Sequence, residues 1–395
     1  MAATDQQIRA ETTAGDEGGD WHDSTLGSVS LAALAIPGLW VAPAAATQPP
    51  GTAPELSVKL SHYRDAQPGF DRIRVTSPAL AAHLPLSSEF VLELATTYDG
   101  VSGASPRWHS AVSGASRFTE HRTAGSGRLR YLGEHWTMAA SAASSTERDY
   151  RSQAVAVEFT FDSDDRNRSW LVSLANTRDH IHPVNRVVRQ DRRFTNEILA
   201  GVTQNWTAND VVQVLARHSR GRGYFNDPYK IVDRRPRERD QTSLVIRWNH
   251  HRPDSGLTWR SSYRYYRDSF GIRAHTTTLD LVLPLGQRLQ MTPGVRYHSQ
   301  SAANFYYDPI YSPTIGEPYP IDWPRRLLSS DHRLSAFGAG TVSLRLDWQM
   351  TDRWHMDARV DHYQQRSPWR LGGNGSPGLA PLRAHQIAVG MTFRF

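Results

Sequence analysis

The feature that most constrains this chain is its last stretch, which alternates in polarity up to the final residue. Apolar side chains recur at every second position, in Ile387, Val389, Met391, Phe393 and Phe395. The alternate positions include Gln386, Thr392 and Arg394. Successive side chains of a β-strand point to opposite faces of the sheet, so the apolar set lies on one face. The sequence therefore predicts a terminal strand with one apolar side that another surface must cover.

A strand of this kind resembles the closing strand of Gram-negative outer-membrane barrels. Those strands end on an aromatic residue, with a second aromatic two residues earlier and a glycine five residues before the end. Here Phe395, Phe393 and Gly390 hold these positions, while Ala388 stands where a polar residue is usual. The resemblance implies that Gly390, Phe393 and Phe395 form an assembly signal for the barrel-assembly machinery. The alternative is an edge strand of a soluble β-sandwich, since period-two alternation also suits a half-buried sheet.

Composition agrees with a barrel and excludes two other classes of protein. The mean hydropathy is negative, which rules out a bundle of membrane helices but suits a barrel in which only outward residues meet lipid. The chain has no cysteine, so disulfides and thiolate metal sites are impossible. The net charge of +6 comes from arginine, because Lys59 and Lys230 are the only lysines. The arginine bias reflects either a GC-rich genome or a function.

An apolar run near the start predicts a signal peptide. It spans residues 26–46, is interrupted by Pro37 and Pro43, and ends in three alanines before Thr47, which predicts cleavage after Ala46. A transmembrane helix is the alternative, but the run barely reaches the roughly 20 residues that a span needs. We therefore expect residues 1–46 to be removed.

The segment before that run departs from the pattern of a signal peptide. Residues 1–23 hold six acidic residues against Arg9, where a short basic segment is expected. We expect either a mis-assigned start codon or a cytosolic extension. The predicted domains are an acidic extension with a signal peptide, residues 1–46, and a barrel, residues 47–395.

From residue 55 onward, alternating segments predict sixteen strands. The short connections are rich in Gly, Asp, Asn or Ser, as hairpin turns require, and lie at 133–134, 162–168, 207–210, 252–256, 286–288 and 351–353. The longer connections are 100–124, 179–193, 225–240, 303–330 and 367–383. The predicted fold is all-β: a single antiparallel transmembrane β-barrel with about 16 strands, long outer loops and short periplasmic turns. Both termini are expected at the periplasmic rim.

Aromatic residues support this layout, because aromatic girdles form where strands cross the membrane interfaces. Many tryptophans flank the predicted short turns: Trp136, Trp170, Trp206, Trp248, Trp259, Trp348 and Trp354. Tyrosines at the opposite strand ends predict the outer girdle: Tyr63, Tyr98, Tyr224, Tyr263, Tyr265, Tyr297 and Tyr363. A sandwich core has no reason to place aromatic residues by turn type, so the barrel is favoured.

If the apolar face looks outward, the alternate positions face the lumen, and they carry charges of both signs. These predicted lumen residues are Glu93, Arg247, Arg260, Arg264, Asp268, Asp280, Arg296, Arg345, Asp347, Asp357, Arg359, Asp361 and Arg394. Opposite charges on neighbouring strands are expected to pair across the sheet, whereas a selective pore would carry a run of one sign. The pattern predicts a salt-bridged lumen that loops plug or narrow.

No catalytic, cofactor or metal site is predicted. The chain lacks the G-x-S-x-G and H-E-x-x-H motifs, and its inward histidines show no metal-site spacing. One arrangement supports an alternative function as a lipid hydrolase on the barrel wall. It pairs His275 with Ser261 or Ser262.

Two arginine-rich loop stretches predict contact with outer-membrane lipid and lipopolysaccharide. They are Arg186 to Arg193 and Asp233 to Asp240, and guanidinium groups bind lipid phosphates well. Nucleic acid is not an expected partner, because such loops lack a folded reader module.

Five motifs together resemble one bacterial family, domain of unknown function number thirty-five seventy. They are DGVSGASP from Asp99, NDPYK from Asn226, YRYYRDSFGIRAH from Tyr263, YHSQSAANFY from Tyr297 and DHRLSAF from Asp331. The resemblance implies an outer-membrane barrel of a Gram-negative bacterium. Family genes often lie near those for a flavin-transferring protein and a small lipoprotein, which implies the latter as a periplasmic partner. The family has no established activity, so a porin-like, transport or structural assembly role remains the expectation.

Overall fold

The computed structural model describes residues 53–104, 117–230, 233–308 and 326–395. The predicted signal peptide and the end of the first family motif lie outside these ranges. No helix in the described ranges is both long and apolar enough to cross a membrane.

Sixteen antiparallel strands close into one barrel, as the sequence predicts. Each strand pairs with its neighbours along the chain, and the last strand pairs with the first. In chain order, the barrel strands are β1 (Glu55–Gln67), β2 (Phe70–Pro85), β3 (Phe90–Ala104), β4 (Arg117–Leu132), β5 (Trp136–Thr146), β6 (Tyr150–Asp162), β7 (Arg168–Ile181), β8 (Asp191–Asn205), β9 (Asp210–Gly223), β11 (Glu238–Arg252), β12 (Leu257–Asp268), β13 (Arg273–Pro284), β14 (Leu289–Gln300), β16 (Phe337–Gln349), β17 (Trp354–Arg366) and β18 (Leu382–Arg394). Two short strands, β10 (Asp233–Arg234) and β15 (Leu328–Ser329), pair with each other in the loops.

The seam between β1 and β18 shows why these residues form a barrel wall. Val58 pairs with Met391, and their side chains are 55% and 41% exposed on the outer face. On the opposite face, Arg394 Nη2 lies 2.7 Å from a Glu55 carboxylate oxygen. Apolar residues thus face outward and charged residues face the lumen, which is the reverse of a soluble protein.

The short turns gather at one rim, together with the start of β1 and the end of β18. The tryptophans that flank these turns project outward, with exposed fractions from 40% for Trp136 to 73% for Trp206. The opposite rim carries all the long connections and is called the outer rim below. The tyrosine prediction holds only in part: Tyr63 and Tyr363 pack against clusters inside the barrel, and Tyr224 is buried.

One predicted loop is largely strand. β3 continues to Ala104 and β4 begins at Arg117, and Gly103 pairs with Phe118. The predicted connection from 100 to 124 was too long because glycine and serine in this stretch hide the alternation. Strands that rise above the lipid no longer need an apolar outer face, so the pattern fades there.

Candidate functional site: a loop plug at the outer rim

Three connections at the outer rim pack together around a small apolar core. Its buried members are Phe225, Phe270, Ile272, Ala303 and Leu334, each no more than 6% exposed. Tyr266 lies on the inward face of β12 and packs against this core, which places the core on the lumen side of the wall. We call residues 224–230, 233–237, 269–272, 301–308 and 326–336 the outer plug.

Inward side chains of the wall hold the outer plug in place. The Arg239 guanidinium stacks over the Phe270 ring at 4.6 Å from its centroid and also lies 2.7 Å from Asp268. On β14, Gln300 donates to the carbonyl oxygens of Arg333 at 2.9 Å and Ser335 at 2.8 Å. The outer plug is therefore attached to at least two parts of the wall.

A buried cluster of charges lies within the outer plug, centred on Asp331. The Asp331 carboxylate is fully buried and lies 2.9 Å from Lys230 Nζ, 2.5 Å from Arg235 Nη2 and 2.8 Å from Arg333 Nε. Asp227 lies 3.2 Å from Arg333. A third carboxylate, on Asp233, lies 2.8 Å from Arg235. Three acidic and three basic side chains thus balance one another.

The pKa directions follow from burial and from these partners. Burial alone would raise the pKa of Asp331, but Arg333, Lys230 and Arg235 outweigh it and hold that pKa well below its usual value. Burial raises the pKa of Asp233 despite the neighbouring Arg235. The pKa of His332 is held well below its usual value by burial and by the charge of Lys230. His332 is therefore neutral at pH 7, and Asp331 is ionised.

The same carboxylates have the spacing of a metal site. Asp227, Asp233 and Asp331 each offer an oxygen within 4.8 Å of the others, and Ca²⁺ and Mg²⁺ prefer oxygen ligands. Three cationic side chains already occupy these oxygens, however. A divalent ion would add two positive charges to a balanced cluster and would have to displace those side chains. The arrangement therefore favours a structural role for the cluster.

The connection from β17 to β18 folds over the outer rim and touches both sides of the wall. On the outer side, Tyr297 donates a hydrogen bond to the Trp369 carbonyl oxygen. On the inner side, Leu379 packs against Phe337 and Ala339. We call residues 367–381 the rim clip. Within it, Ser376 Oγ accepts a hydrogen bond from the Ala336 backbone N–H at 2.9 Å. The rim clip thereby joins the outer plug to the wall.

The predicted lumen charges occupy positions that alternate with exposed apolar residues, and so lie on the lumen side of their strands. Glu93 lies 3.5 Å from Arg130 and 3.8 Å from Arg128. Other pairs are Lys59 with Asp357, Arg345 with Asp347, Arg359 with Asp361, and Arg239 with Asp268. The remaining predicted positions are Arg247, which donates to Gln213, and Arg260, Arg264, Asp280 and Arg296 on β12 to β14.

The register of β16 and β17 sets which of the predicted lumen charges stand opposite each other. On β16 and β17, Arg345 stands opposite Arg359 and Asp347 stands opposite Asp357, so like charges face each other. Opposite charges pair along each strand, at 2.8 Å for Arg345 with Asp347 and 2.9 Å for Arg359 with Asp361. Register decides this, and a single sequence does not fix register.

Several inward pairs were missed from the sequence. They include Arg128 with Glu158 and Arg193 with Asp179, both at 2.7 Å, and Arg217 with Glu197. Period-two alternation would have found these positions. The arginines of the 233–240 stretch were predicted to meet lipid, but Arg235 and Arg239 are buried in ion pairs.

The sketched Ser-His arrangement does not form. His275 pairs with Tyr265 across the sheet, and its ring nitrogen lies 2.7 Å from the Tyr263 hydroxyl. Ser261 stands opposite Leu279 and donates to the Trp248 carbonyl oxygen at 3.2 Å. His275 and Leu279 are four residues apart on β13, so neither serine of β12 reaches the histidine.

The chain matches a family model described as a protein of unknown function, DUF3570, over residues 26–385. The chain belongs to this family. Four of its five family motifs meet in the outer plug, because they supply Lys230, Phe270, Ala303 and Asp331. No curated protein matches the chain.

Solved structures with a similar fold are barrels of the outer membrane. A bacterial polysaccharide outer membrane secretin is 9% identical over 87% of this chain and 98% of its own, with a TM-score of 0.51. The siderophore receptor PirA from Acinetobacter baumannii is 12% identical over 86% of this chain and 58% of its own, at 0.44. OccK2 from Pseudomonas aeruginosa is 11% identical over 87% and 98%, at 0.43. At these identities the likeness shows the fold alone.

Proposed function

We propose that this protein is an outer-membrane transport barrel with a restricted lumen, which conducts only when the outer plug rearranges. The observation that carries the proposal is the apolar core built by loops on the lumen side of the wall. Each fully buried large apolar side chain contributes about 1.5 to 3 kcal/mol, so the outer plug is a folded unit. A permanently open pore has no need of such a unit.

Two features favour an outer plug that rearranges and disfavour one that closes the lumen permanently. The rim clip and the outer plug meet through a small number of polar contacts: Ser376 and Ala336 exchange hydrogen bonds at 2.9 Å and 2.8 Å, and the Gly378 backbone donates to Asp308 at 2.9 Å. The charge cluster is balanced and buried, so its contribution depends on every partner staying in place. A unit held in this way has a closed state and a discrete open state.

Conductance of the purified full chain in a planar bilayer tests the proposal. The chain has no native cysteine, so the pair Ala336→Cys with Ser376→Cys forms a single defined disulfide between the outer plug and the rim clip. The wild type should show a small, intermittent conductance. Oxidation of the pair should remove the openings, and reduction should restore them. Ala336→Cys alone, which keeps the Ser376 hydroxyl, is the matched control and should resemble the wild type under both conditions.

The outcomes separate the competing functions. A wide, steady, weakly selective conductance in the wild type would exclude a closed outer plug. Absence of conductance in the wild type and in a variant with a weakened plug would favour a structural assembly role. The second candidate, a lipid hydrolase, has no supporting contact between serine and histidine, and hydrolysis of phospholipid vesicles by the purified chain would revive it.

The maturation and partners of the barrel belong to the same proposal. The barrel fold supports the proposed outer-membrane location, and cleavage after Ala46 stays a prediction that N-terminal sequencing of the membrane-extracted protein tests. The barrel-assembly machinery is the proposed reader of Gly390, Phe393 and Phe395. Phe395 is 63% exposed at the short-turn rim and its ring contacts Phe393, so it is open to such a reader. A small periplasmic lipoprotein stays a predicted partner, for co-purification to test.

A further inference from the structure

The outward faces of β6, β7 and β8 carry a group of basic residues near the outer rim. The strand register places Arg151 opposite His180 and His180 opposite Arg192, so three basic side chains stand side by side. Arg178 lies one row closer to the membrane, opposite Gln153 and Phe194. We call Arg151, Arg178, His180 and Arg192 the basic wall patch.

The basic wall patch has no acidic partner among the residues that the structure describes. Exposed arginines elsewhere at the same rim do have one: Arg64 and Arg74 lie 2.6 Å and 3.1 Å from Asp71, and Arg220 lies 3.1 Å from Glu238. Asp191, the acidic residue nearest in sequence to Arg192, pairs instead with Arg237 at 2.9 Å. The guanidinium groups of the basic wall patch are therefore not neutralised by the described part of the chain.

From the basic wall patch toward the middle of the membrane, the outward residues of the wall change first to amides and then to apolar side chains. Closest to it lies an amide row, in which Asn176 Nδ2 donates to Asn196 Oδ1 at 2.8 Å. Beyond that row the outward residues are apolar, and Val157, Leu174 and Ile198 are 37%, 56% and 47% exposed. Arg178 lies four residues beyond Leu174, which on a tilted strand is about 10 Å above the apolar band. That is the depth at which lipid headgroups sit.

We propose that the basic wall patch binds the phosphate groups of a phosphorylated, multiply acylated glycolipid of the outer leaflet, the chemistry of lipopolysaccharide. Arginine pairs with phosphate through parallel hydrogen bonds. The amide row contacts hydroxyl and amide groups of the sugar, and the apolar band contacts the acyl chains. The basic, amide and apolar layers of the wall thus match the phosphate, sugar and acyl parts of one ligand. A free phosphate would contact the basic layer alone.

Lipid binding to the full chain in detergent tests this site. The patch variant carries Arg151→Gln, Arg178→Gln and Arg192→Gln. The control variant carries Arg64→Gln, Arg74→Gln and Arg220→Gln, which removes the same charge from arginines that have acidic partners. The probes are bisphosphorylated lipid A, the same lipid without phosphates, and inorganic phosphate as a competitor, read by native mass spectrometry.

We expect the patch variant to bind bisphosphorylated lipid A at least tenfold more weakly than the wild type, while the control variant binds within twofold of it. The wild type should also lose at least tenfold when the lipid lacks phosphates. Equal binding by wild type and patch variant, or equal loss in the control variant, overturns the proposal. Displacement of the lipid by millimolar inorganic phosphate would identify a free anion as the ligand and overturn it too. If the patch variant fails the heat-modifiable gel test of folding, Arg178→Gln alone should still lose at least threefold.

Discussion

The inward and outward faces of β6, β7 and β8 both carry charged residues, but the two faces differ in whether those charges are paired. On the inward face, Glu158, Asp179 and Glu197 each have an arginine partner: Arg128, Arg193 and Arg217. On the outward face, the arginines of the basic wall patch have no acidic partner among the described residues. A charge removed from water must be paired, or its burial costs several kcal/mol. A charge that faces solvent or headgroups has no such requirement, so it stays available to a ligand.

Removing one charged residue from the buried cluster inside the outer plug should give the largest loss of stability. Asp331→Ala leaves Lys230, Arg235 and Arg333 without their common partner, and we expect a loss of about 3 to 5 kcal/mol in plug stability. Hydrogen exchange of residues 326–336 measures this loss, and conductance should rise with it. The barrel wall should keep its heat-modifiable mobility. Asp331→Asn, which retains the shape, should lose less. Unchanged exchange in Asp331→Ala would mean that the cluster adds nothing.

Low pH should also open the outer plug, because protonation of Asp331 removes the same negative charge as its mutation. The pKa of Asp331 is held well below that of an unfolded Asp, so its contribution is present above about pH 4 and is lost as the pH falls through the folded pKa. Asp233, whose pKa burial raises, takes up its proton first, which removes the cost of keeping a buried carboxylate ionised. Conductance should therefore stay low from pH 7 to about pH 4 and rise in stronger acid. A rise between pH 7 and pH 5 would contradict this assignment.

On the wall itself, breaking an inward pair of β7 and β8 should be costly. Asp179 accepts hydrogen bonds from Arg193 Nε at 2.7 Å and from Ser152 Oγ at 2.6 Å, and it is buried. We expect Asp179→Ala to lower the free energy of unfolding by about 3 kcal/mol, because Arg193 loses its partner. Urea unfolding in lipid vesicles measures this change. The double variant Asp179→Ala with Arg193→Ala should recover part of the loss.

Arg359→Ala should have a smaller effect on stability. Arg359 and Asp361 pair along one strand, and their side chains are 22% and 15% exposed. This partial access of water reduces the expected loss to about 1 kcal/mol. The same change removes a guanidinium from the lumen and should raise conductance when the outer plug is open. A thermal midpoint equal to that of the wild type, with unchanged conductance, would argue against a narrow lumen.

Arg178→Ala on the outward face should have the smallest effect. Without anionic lipid, we expect a change within about 0.5 kcal/mol, as for most surface substitutions, because no partner loses a bond. In vesicles that contain bisphosphorylated lipid A, the same variant should unfold more easily than the wild type. A large loss in lipid-free detergent would show that Arg178 has an internal structural role.

The lipid-facing half of this molecule is predictable from sequence, and the outer plug is not. Contact with lipid forces apolar residues to alternate, so Val389 and Met391 identify their strand without a structure. Residues of the outer plug obey no period, and their partners are far apart in the chain: Arg333 and Asp227 are separated by 106 residues. Nothing local in either segment predicts that pairing. The family motifs mark the loops that form the outer plug, but the sequence does not show that these loops contact one another. That contact is visible only in the structure.

Alternation also leaves the cross-strand partners of the charges on β16 and β17 undetermined. Alternation reports which face a residue is on, but not which residue stands opposite it. Arg345 facing Arg359 is as compatible with the pattern as Arg345 facing Asp361. Register is a property of the folded sheet and of its turns.

Closure of the barrel by its first and last strands has a consequence for how the chain is made. Ser57 and Thr392 share a hydrogen bond at 2.8 Å across 335 residues of sequence, so this contact forms only after every strand of the barrel has been synthesised. Until β18 is complete, β1 has unpaired backbone groups along one edge, which is a template for pairing with other chains. Contacts so distant in sequence also form slowly. A newly exported chain is therefore most prone to aggregate while both edges are open, before the seam between β1 and β18 forms.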